Sequence, residues 1–292
     1  MGDRLVSRRL IPYLLLIPTV VIFGILTFQP IIYGTYISLN EWDWRVGQSK
    51  IKFIGLQNYF AALGENRFWA DLLHTFYFSA GAVTIEFFLG FGMAILLSQK
   101  IRGAAFFRSV FIFPLMISDI VAALMWKVMY DPTLGIINYI LSLVHMPTPA
   151  WLSDPATVMP AIIFIDTWWQ TGNITLILLA GLLSLPKAPF EAAVVDGASK
   201  WQTFRYVMLP LMKPIIIVAL IFRTIDTLRV FAIVFGTSFG GPERLSEVMQ
   251  LWIYLVGIGR FLDMGYSSAI AILFSLVILG VVLVYYRLGA RI

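Results

Sequence analysis

Residues 186–210 read PKAPFEAAVVDGASKWQTFRYVMLP and lie between two long apolar stretches of the chain. Pro189 suits the first turn of a helix, where the missing N–H of proline costs nothing. Glu191 falls in the same turn, where a carboxylate favours the positive end of the helix dipole. Gly197 is placed to end this helix, and Ser199–Gln202 has the pattern of a capping box that opens another. The segment is therefore predicted to form a short helix, a turn and a second helix. An ordinary amphipathic connector is an equally weighted alternative on these grounds alone.

The rest of the chain is dominated by apolar stretches. Of its 292 residues, 60% are hydrophobic and 13% are charged, and the mean hydropathy is +0.86. A soluble domain carries about 25% charged residues, and its core could not hide this much apolar surface. A helix that crosses a bilayer needs roughly 20 mostly apolar residues. Six stretches qualify: about 10–39, 72–98, 105–130, 158–185, 207–235 and 267–286. The sequence predicts an all-α polytopic integral membrane protein with six transmembrane helices, forming a single transmembrane domain over residues 1–292.

The distribution of Lys and Arg predicts the orientation of these helices. Twelve lie in the two tails, the loop near residue 100 and the loop 186–213, against six in the loops on the opposite side. Positively charged loops remain cytoplasmic, so both termini and the loop 186–213 are predicted to be cytoplasmic. The net charge of +5 follows from this topology and does not indicate nucleic-acid binding. A further apolar stretch, Leu245–Gly259, is too short to cross and is predicted to lie along or dip into the interface.

Several kinds of chemistry are excluded by residues that the chain lacks. It has no cysteine and only two histidines, His74 and His145, far apart in sequence. Disulfides, thiolate nucleophiles and a His-rich metal site are therefore not expected. The chain also lacks a Gly-x-x-x-x-Gly-Lys-Ser/Thr phosphate loop, so it is not expected to hydrolyse ATP. No clustered catalytic set facing the interface is visible, which argues against a membrane-bound enzyme. Any energy that the function of the chain requires must come from a partner or from an ion gradient.

Polar side chains recur at helical spacing within two predicted spans. Each set falls on one helical face: Asp166, Trp169, Gln170 and Asn173 in the fourth span, and Arg223, Asp226, Thr227 and Val230 in the fifth. Polar groups within lipid are costly and usually functional, so the two stripes indicate the lining of a water-filled pathway, with Arg223 paired to Asp226. Amide, carboxylate and guanidinium groups suit sugar hydroxyls, and an indole offers a flat apolar face. The alternative is that the stripes join helices together. Whether Glu86, Asp119, Lys127 and Arg229 are structural or line the pathway is left open.

The spacing in the 186–210 segment resembles the signature loop of the membrane subunits of ABC importers. Glu191-Ala192-Ala193, three residues, Gly197, nine residues, an aliphatic residue, one residue and Leu209-Pro210 match it, with Val207 at the usual Ile position. Other stretches resemble the binding-protein-dependent carbohydrate permeases of the maltose-permease-like type: Arg9–Tyr13, Phe53–Tyr59, Asp131–Pro132, Gly135–Asn138, Trp151–Pro155 and Gly240–Pro242. The resemblance covers nearly the whole chain.

This resemblance implies a six-span permease that moves a sugar, such as a mono-, di- or oligosaccharide or a polyol, through a bacterial or archaeal plasma (inner) membrane. The implied partners are a second permease, two cytoplasmic ATPases that bind ATP and Mg, and an extracytoplasmic solute-binding protein; no cofactor is implied in this chain.

The implied coupling positions are Glu191, Ala192, Ala193, Asp196, Gly197, Leu209 and Pro210, within a cytoplasmic coupling helix between spans four and five. The implied sugar positions are Trp169, Gln170, Asn173, Arg223, Asp226, Thr227 and Val230. The Leu245–Gly259 segment and the Gly240–Pro242 turn are predicted to touch the loaded binding protein or to guide solute release from it, through the charged residues Glu243, Arg244, Glu247 and Arg260. An ion-coupled secondary transporter is the alternative, although it would usually show an internal repeat and none is visible.

Overall fold

The computed structural model describes residues 3–46, 51–99 and 103–290. Four of the basic residues that served to predict the orientation, Lys50, Lys100, Arg102 and Arg291, lie outside the described residues. Most of the described chain is helical, as expected for apolar segments that must satisfy their backbone hydrogen bonds internally.

The described chain consists mainly of α-helices, with two short β-strands near its beginning. The first half contains α1 (Asp3–Ser38), β1 (Asn40–Glu41), β2 (Lys52–Phe53), α2 (Gln57–Gly64), α3 (Asn66–Ser98), α4 (Ala104–Ile112), α5 (Asp119–Met129) and α6 (Ile136–Leu143). The second half contains α7 (Val158–Ser184), α8 (Ala188–Val195), α9 (Lys200–Gln202), α10 (Leu209–Leu228), α11 (Ala232–Gly236), α12 (Met249–Tyr254) and α13 (Met264–Ala290). A π-helical segment, Thr203–Met208, joins α9 to α10 in one continuous helix. The two strands pair antiparallel, with Asn40 opposite Phe53.

Five of the described helices are long and apolar enough to cross a membrane, and a bent pair makes a sixth if it counts as one span. The five are Leu15–Ser38, Asn66–Ser98, Val158–Ser184, Lys200–Leu228 and Met264–Arg287. The polytopic helical fold is therefore confirmed. The second span begins at Asn66 rather than near residue 72, and the stretch predicted as too short to cross contains the short apolar helix Met249–Gly259.

The predicted third span, 105–130, is not one continuous helix. Phe106–Met116 and Asp119–Met129 meet at an angle of 97°. Pro114 begins the disruption, because it lies in a 3₁₀ turn and has no N–H to donate. Ile117 and Ser118 then adopt extended backbone angles before α5 begins. The prediction of a single uninterrupted helix was wrong at these two residues.

The predicted fifth span also ends earlier than expected, at Leu228 rather than near residue 235. The N–H of Arg229 bonds back to the carbonyls of Ile225 and Asp226, and the chain then leaves helical geometry. Val230 lies in this short break before α11. The spacing predicts that Val230 continues the helical stripe of Arg223 and Asp226. Because Val230 lies outside the helix, it does not.

The chain divides into two compact units, of which the first comprises the residues up to Glu65 together with Ile253–Ser275. In this unit the Asn58 side chain donates to the carbonyls of Ser38, at 2.9 Å, and Asn40, at 3.0 Å. The Tyr266 hydroxyl donates to a Glu65 carboxylate oxygen at 2.5 Å. The amide of Asn58 thus fixes the chain where it leaves α1, which gives a structural role to the Phe53–Tyr59 stretch.

The second unit comprises Asn66–Trp252 together with the residues from Leu276 onward, and its core lies where α3, α7 and α10 pack together. Phe91, Ile174, Leu178 and Met212 are among the buried residues of this apolar cluster. α3 approaches α7 closely at Gly90, where an added Cβ would overlap the Ile174 side chain. Small residues at such crossings let membrane helices come into van der Waals contact.

The turn after α5 is held by its own polar side chains. The Asp131 carboxylate accepts the backbone N–H groups of Leu134 and Thr133, at 2.8 and 2.9 Å, and these bonds lower the pKa of Asp131. Further on, the Trp151 indole N–H donates to the Asn138 side chain at 2.8 Å. The polar residues of Asp131–Pro132, Gly135–Asn138 and Trp151–Pro155 therefore build one ordered connection between α5 and α7.

The helix crossing at Gly90 yields a matched pair of variants on α3. We expect Gly90→Ala to destabilise the protein by about 1–3 kcal/mol, because the new methyl group overpacks the contact with Ile174 and approaches the Thr175 backbone nitrogen at 3.2 Å. Gly92→Ala is the control, since nothing lies within 4 Å of its added Cβ. Thermal unfolding in detergent measures both, and equal midpoints would contradict the packing described for α3 and α7.

Candidate functional site

Arg223 of α10 lies at the centre of a cluster of four charged side chains. Its Nε and Nη2 atoms donate to the two carboxylate oxygens of Glu86 on α3, the Nη2 bond being 2.8 Å long. Nη2 also donates to Asp166 on α7. Nη1 donates to Asp226, one turn further along α10, at 2.5 Å. One guanidinium group therefore joins three helices through its planar fork of donors.

The four residues of this cluster differ sharply in exposure. Arg223 is 5% exposed and Glu86 is fully buried, whereas the side chain of Asp226 is 60% exposed. Asp166 is buried as well. A charge buried this deeply requires partners, because its desolvation is costly. The predicted pair of Arg223 and Asp226 is confirmed, but Arg223 is a buried clamp and Asp226 alone presents a carboxylate to open space.

Sequence reasoning left the role of Glu86 open, although the structure makes it a bidentate partner of Arg223. The sequence contains one signal for this pairing, which is the balance of positive and negative charges within the apolar stretches. An arginine in the middle of an apolar helix needs more compensation than one largely exposed carboxylate can supply. Glu86 is an acid within another apolar stretch, so it was an available partner, but the helix pairing that brings the two together is not encoded in local spacing.

A cavity of about 400 Å³ lies between α7 and α10. Its polar lining consists of Gln170, Asn173, Arg223, Asp226 and Arg229, and its apolar lining of Ile174, Ile177, Ala219, Phe222 and Ile225. The Asn173 amide donates to the Gln170 side-chain oxygen at 3.2 Å. Among the described residues, neither the NH₂ group of Gln170 nor the oxygen of Asn173 has a hydrogen-bond partner, so both can meet a polar solute.

A smaller cavity of about 150 Å³ shares Arg223, Asp226 and Arg229 with the first. Its other lining residues are Asp119, Asp166, Trp169, Thr227, Val230 and Phe231–Ile233. The Trp169 indole N–H donates to the carbonyl of Ile117 at 3.0 Å. The broken helix pair and the fourth span are thus tied together at the edge of this cavity.

The seven positions predicted to contact a sugar all line one or both cavities. Gln170 and Asn173 line the larger one, Trp169, Thr227 and Val230 the smaller one, and Arg223 and Asp226 both. The hydroxyl of Thr227 is buried and bonded to the Ser79 hydroxyl at 2.6 Å. Its polar group therefore serves the packing of α10 on α3.

The 186–210 segment folds into the predicted short helix, turn and second helix. Pro189 lies in the first turn of α8, and Glu191 is the acidic residue of that turn. The N–H groups of Gly197 and Ala198 bond back to α8 at 3.1 and 2.9 Å, in a Schellman arrangement that ends the helix. Gly197 has a φ of +74°, which is the left-handed conformation that glycine adopts at little cost.

The next helix begins with the predicted capping box. The Ser199 N–H donates to the Gln202 side chain at 2.7 Å, and the Gln202 N–H donates to the Ser199 hydroxyl at 3.3 Å. Of the residues predicted for coupling, Ala193 is buried and Leu209 packs on the apolar cluster of the second unit. The remaining five, Glu191, Ala192, Asp196, Gly197 and Pro210, are exposed. Val194 and Val195 are exposed as well, which leaves an apolar face on α8 that no other described residue covers.

Glu247, one of the charged residues predicted to face the binding protein, does not lie on the surface. Glu247 is buried and forms a salt bridge with Arg67 at 2.6 Å, so it fixes the loop after α11 to the start of α3. The guanidinium of Arg67 also lies 5.3 Å from the ring of Trp252. Arg244 remains exposed.

A bundle of apolar helices that encloses polar cavities is typical of a membrane transport protein. The family comparison is more specific. Residues 86–292 match the family described as "Binding-protein-dependent transport system inner membrane component". The chain belongs to this family and is therefore an inner-membrane component of a transport system.

Curated relatives match nearly the whole chain. The trehalose/maltose transport system permease protein MalF of Thermococcus litoralis is 34% identical over 95% of this chain and 92% of its own length. The trehalose transport system permease protein SugA of Mycobacterium tuberculosis is 31% identical over 93% and 86%, respectively. The sulfoquinovosyl glycerol transport system permease protein SmoG of Agrobacterium fabrum is 30% identical over 99% and 91%.

Solved structures show the same fold. A chain in the crystal structure of a bacterial ABC transporter involved in import of the acidic polysaccharide alginate aligns with a TM-score of 0.82. It shares 23% identity over 99% of this chain and 98% of its own. A structure of the bacterial alginate ABC transporter in complex with an alginate pentasaccharide-bound periplasmic protein gives a TM-score of 0.84 at 22% identity, covering 99% of this chain and 96% of its own.

The clamp at Arg223 predicts unequal effects for its acidic partners. We expect Glu86→Ala to destabilise the fold by about 2–3 kcal/mol, because it leaves Nε and one Nη2 hydrogen of a buried guanidinium without their acceptors. Asp226→Ala should cost only about 0–1 kcal/mol, since Asp226 is largely exposed and Arg223 retains two buried carboxylates. Unfolding of the purified chain in detergent measures both. Equal losses of stability would show that Arg223 does not act as an inner clamp.

Proposed function

We propose that this chain is the transmembrane subunit of an ATP-driven ABC importer that moves a sugar into the cytoplasm through a pore formed with a second permease. The whole chain, 1–292, would act as one permease domain. The observation that carries this proposal is the larger cavity, whose polar lining of amide, carboxylate and guanidinium groups lies among membrane helices. These groups bind hydroxyls, whereas a merely structural contact between two helices would leave no such space.

The chain's own residues support an external source of energy. Because the sequence has no phosphate-binding loop, ATP and Mg would be bound by two cytoplasmic ATPase subunits. The exposed apolar face of α8, with Val194 and Val195 beside the acidic first turn, is suited to docking in a cleft of such a subunit. We place α8 and both termini in the cytoplasm on the distribution of Lys and Arg.

The relatives support a saccharide as the solute. Three of them are named for trehalose or maltose, for trehalose, and for sulfoquinovosyl glycerol. A complex containing a periplasmic protein is known for the alginate transporter, which supports delivery of the solute by an extracytoplasmic binding protein. We propose Trp169, Gln170, Asn173 and Asp226 as the residues nearest the solute, with Arg223 holding Asp226 in place.

The proposal is tested by uptake into proteoliposomes that contain the assembled importer and its binding protein, with trehalose and maltose as the first solutes. Asn173→Ala and Gln170→Ala should each lower uptake about 10-fold or more, because an unpaired sugar hydroxyl costs about 1–3 kcal/mol. Gln57→Ala, an exposed amide on α2, serves as the control. Normal uptake by both cavity variants would mean that the polar stripes only join helices, and uptake driven by an ion gradient without ATP would favour a secondary transporter.

Coupling is tested at Gly197, whose left-handed conformation has open space around it. Gly197→Val should lower solute-stimulated ATPase activity at least 10-fold, because a β-branched residue is strained in this conformation and displaces the end of α8. Gly197→Asn should retain most of the activity, since asparagine tolerates the left-handed region. If the valine variant keeps full stimulated activity in a correctly assembled complex, α8 is not the coupling element.

A further inference from the structure

We infer that Asp71 carries a proton that it shares with Glu247, and that this proton holds the loop between α11 and α12, residues 238–248, against α3. Loss of the proton releases the loop, so the arrangement is a proton-dependent latch. The inference goes beyond the proposed function, because it depends neither on the solute nor on the cavities between α7 and α10. It gives a role to two buried acidic residues that the solute pathway does not use.

Three contacts near the start of α3 attach the 238–248 loop to that helix. Nε of Arg67 donates to Oε1 of Glu247 at 2.7 Å, and Nη2 lies 2.6 Å from the same oxygen. Nδ1 of His74 lies 3.2 Å from the carbonyl oxygen of Glu247. Where the loop meets α12, the Met249 N–H donates to the Thr75 hydroxyl at 2.9 Å. The loop is therefore fixed to the first turns of α3 through both its side chains and its backbone.

The charges at this attachment do not balance. Asp71 is 1% exposed and Glu247 is 3% exposed. Oδ2 of Asp71 lies 3.6 Å from Nε of Arg67, which is too far for a hydrogen bond, and that N–H is already donated to Glu247. Among the described residues, no group forms a hydrogen bond with this oxygen. Two buried carboxylates thus share one guanidinium group, which leaves one negative charge without compensation.

One proton on Asp71 removes this imbalance. A buried carboxyl group without charge avoids the desolvation cost of a carboxylate, and it is not repelled by a second carboxylate nearby. A protonated Oδ2 becomes a donor, and Glu247 is close enough to accept from it. A neutral Asp71 therefore reinforces the pair of Arg67 and Glu247, whereas an ionised Asp71 repels Glu247 and weakens the attachment of the loop.

The other groups around the latch do not supply the missing donor. His74 of α3 contacts the backbone of Glu247 rather than a carboxylate. Arg244, in the loop itself, is exposed and acts on Asp71 only through space. Trp252 of α12 packs its ring 5.3 Å from the guanidinium of Arg67 and carries no charge. The proton is therefore assigned to the two carboxyl groups.

A simpler role for Asp71 is that of an ionised partner of Arg67, four residues earlier on α3. Asp71→Asn separates the two roles. The variant keeps the shape of the side chain, and its NH₂ group can donate to Glu247 as the protonated acid does. It should preserve a latch that depends on a neutral Asp71 and weaken one that depends on an ionised Asp71.

Because the sequence has no cysteine, a single introduced thiol can report the release of the loop. Val248 is fully buried, so the thiol of Val248→Cys reacts with iodoacetamide when the loop leaves α3. Val158→Cys is the matched control, since it makes the same substitution at a buried position at the start of α7. Its rate corrects for the ionisation of the thiol and for general opening of the fold. Mass spectrometry of the full chain in detergent gives both rates between about pH 6 and pH 9.

The attached loop binds one more proton than the released loop, so raising the pH favours release. The ratio of the rate at position 248 to the rate at position 158 should therefore rise about tenfold or more over this range. Asp71→Asn should keep the ratio low and nearly independent of pH. His74→Gln should leave the rise intact, because His74 is not the group that loses the proton.

Four results would overturn the inference. They are a ratio that does not change with pH, a rise that persists in Asp71→Asn, a rise that disappears in His74→Gln, and an Asp71→Asn chain that does not fold or that has a high ratio at every pH. Hydrogen exchange of residues 238–248 in the chain with Val248 in place gives the same comparison without a substitution in the loop. These measurements require neither transport nor ATP, so they stand or fall separately from the proposed importer.

Discussion

The arrangement of the second unit depends on one buried guanidinium group, that of Arg223. Two buried carboxylates, Glu86 and Asp166, and one exposed carboxylate, Asp226, surround it. Because α3, α7 and α10 each contribute a partner, none of these helices can rotate about its axis without leaving a charge unpaired in a poorly solvated interior. Apolar packing at Gly90 and Ile174 brings one face of α3 against α7, but this contact does not include α10, whose rotation relative to both helices is set by the ion pairs. The clamp therefore selects one rotation of α10.

This selection determines which groups face the cavities. Held by Arg223, Asp226 keeps its remaining acceptor positions on the open side of α10, and Gln170 and Asn173 lie on the facing side of α7. The end of α10 at Leu228 has a related effect. Because the chain leaves helical geometry there, Val230 and Phe231–Ile233 close the smaller cavity instead of continuing up the helix. Charge pairing and a helix end together convert a helical stripe into two successive compartments.

The features that could be predicted from sequence are those set by local chemistry. Pro189, Gly197 and the Ser199–Gln202 capping box act within a few residues of themselves, so their geometry follows from spacing alone. The features that could not be predicted depend on distant partners. The stripe of Asp166, Trp169, Gln170 and Asn173 divides between a buried ion pair and two cavities, because neighbouring helices differ on each side. Hydropathy likewise shows an apolar stretch at 105–130, but it is insensitive to a break of two residues that Trp169 stabilises from another helix.

Under the proposed function, the same continuous helix carries the coupling signal to the solute site. α8 packs against the Thr203–Met208 segment, which belongs to the helix Lys200–Leu228 that ends beside the cavities. At 1.5 Å per residue, Arg223 lies about 35 Å along this helix from Lys200. The start of this helix is its weakest part, because a π-helical segment precedes Pro214, which cannot donate to the carbonyl of Pro210. The part near Arg223 is fixed on both sides by salt bridges. A displacement of α8 would therefore bend the helix near its start, whereas the part that carries Arg223 and its salt bridges would move as one body.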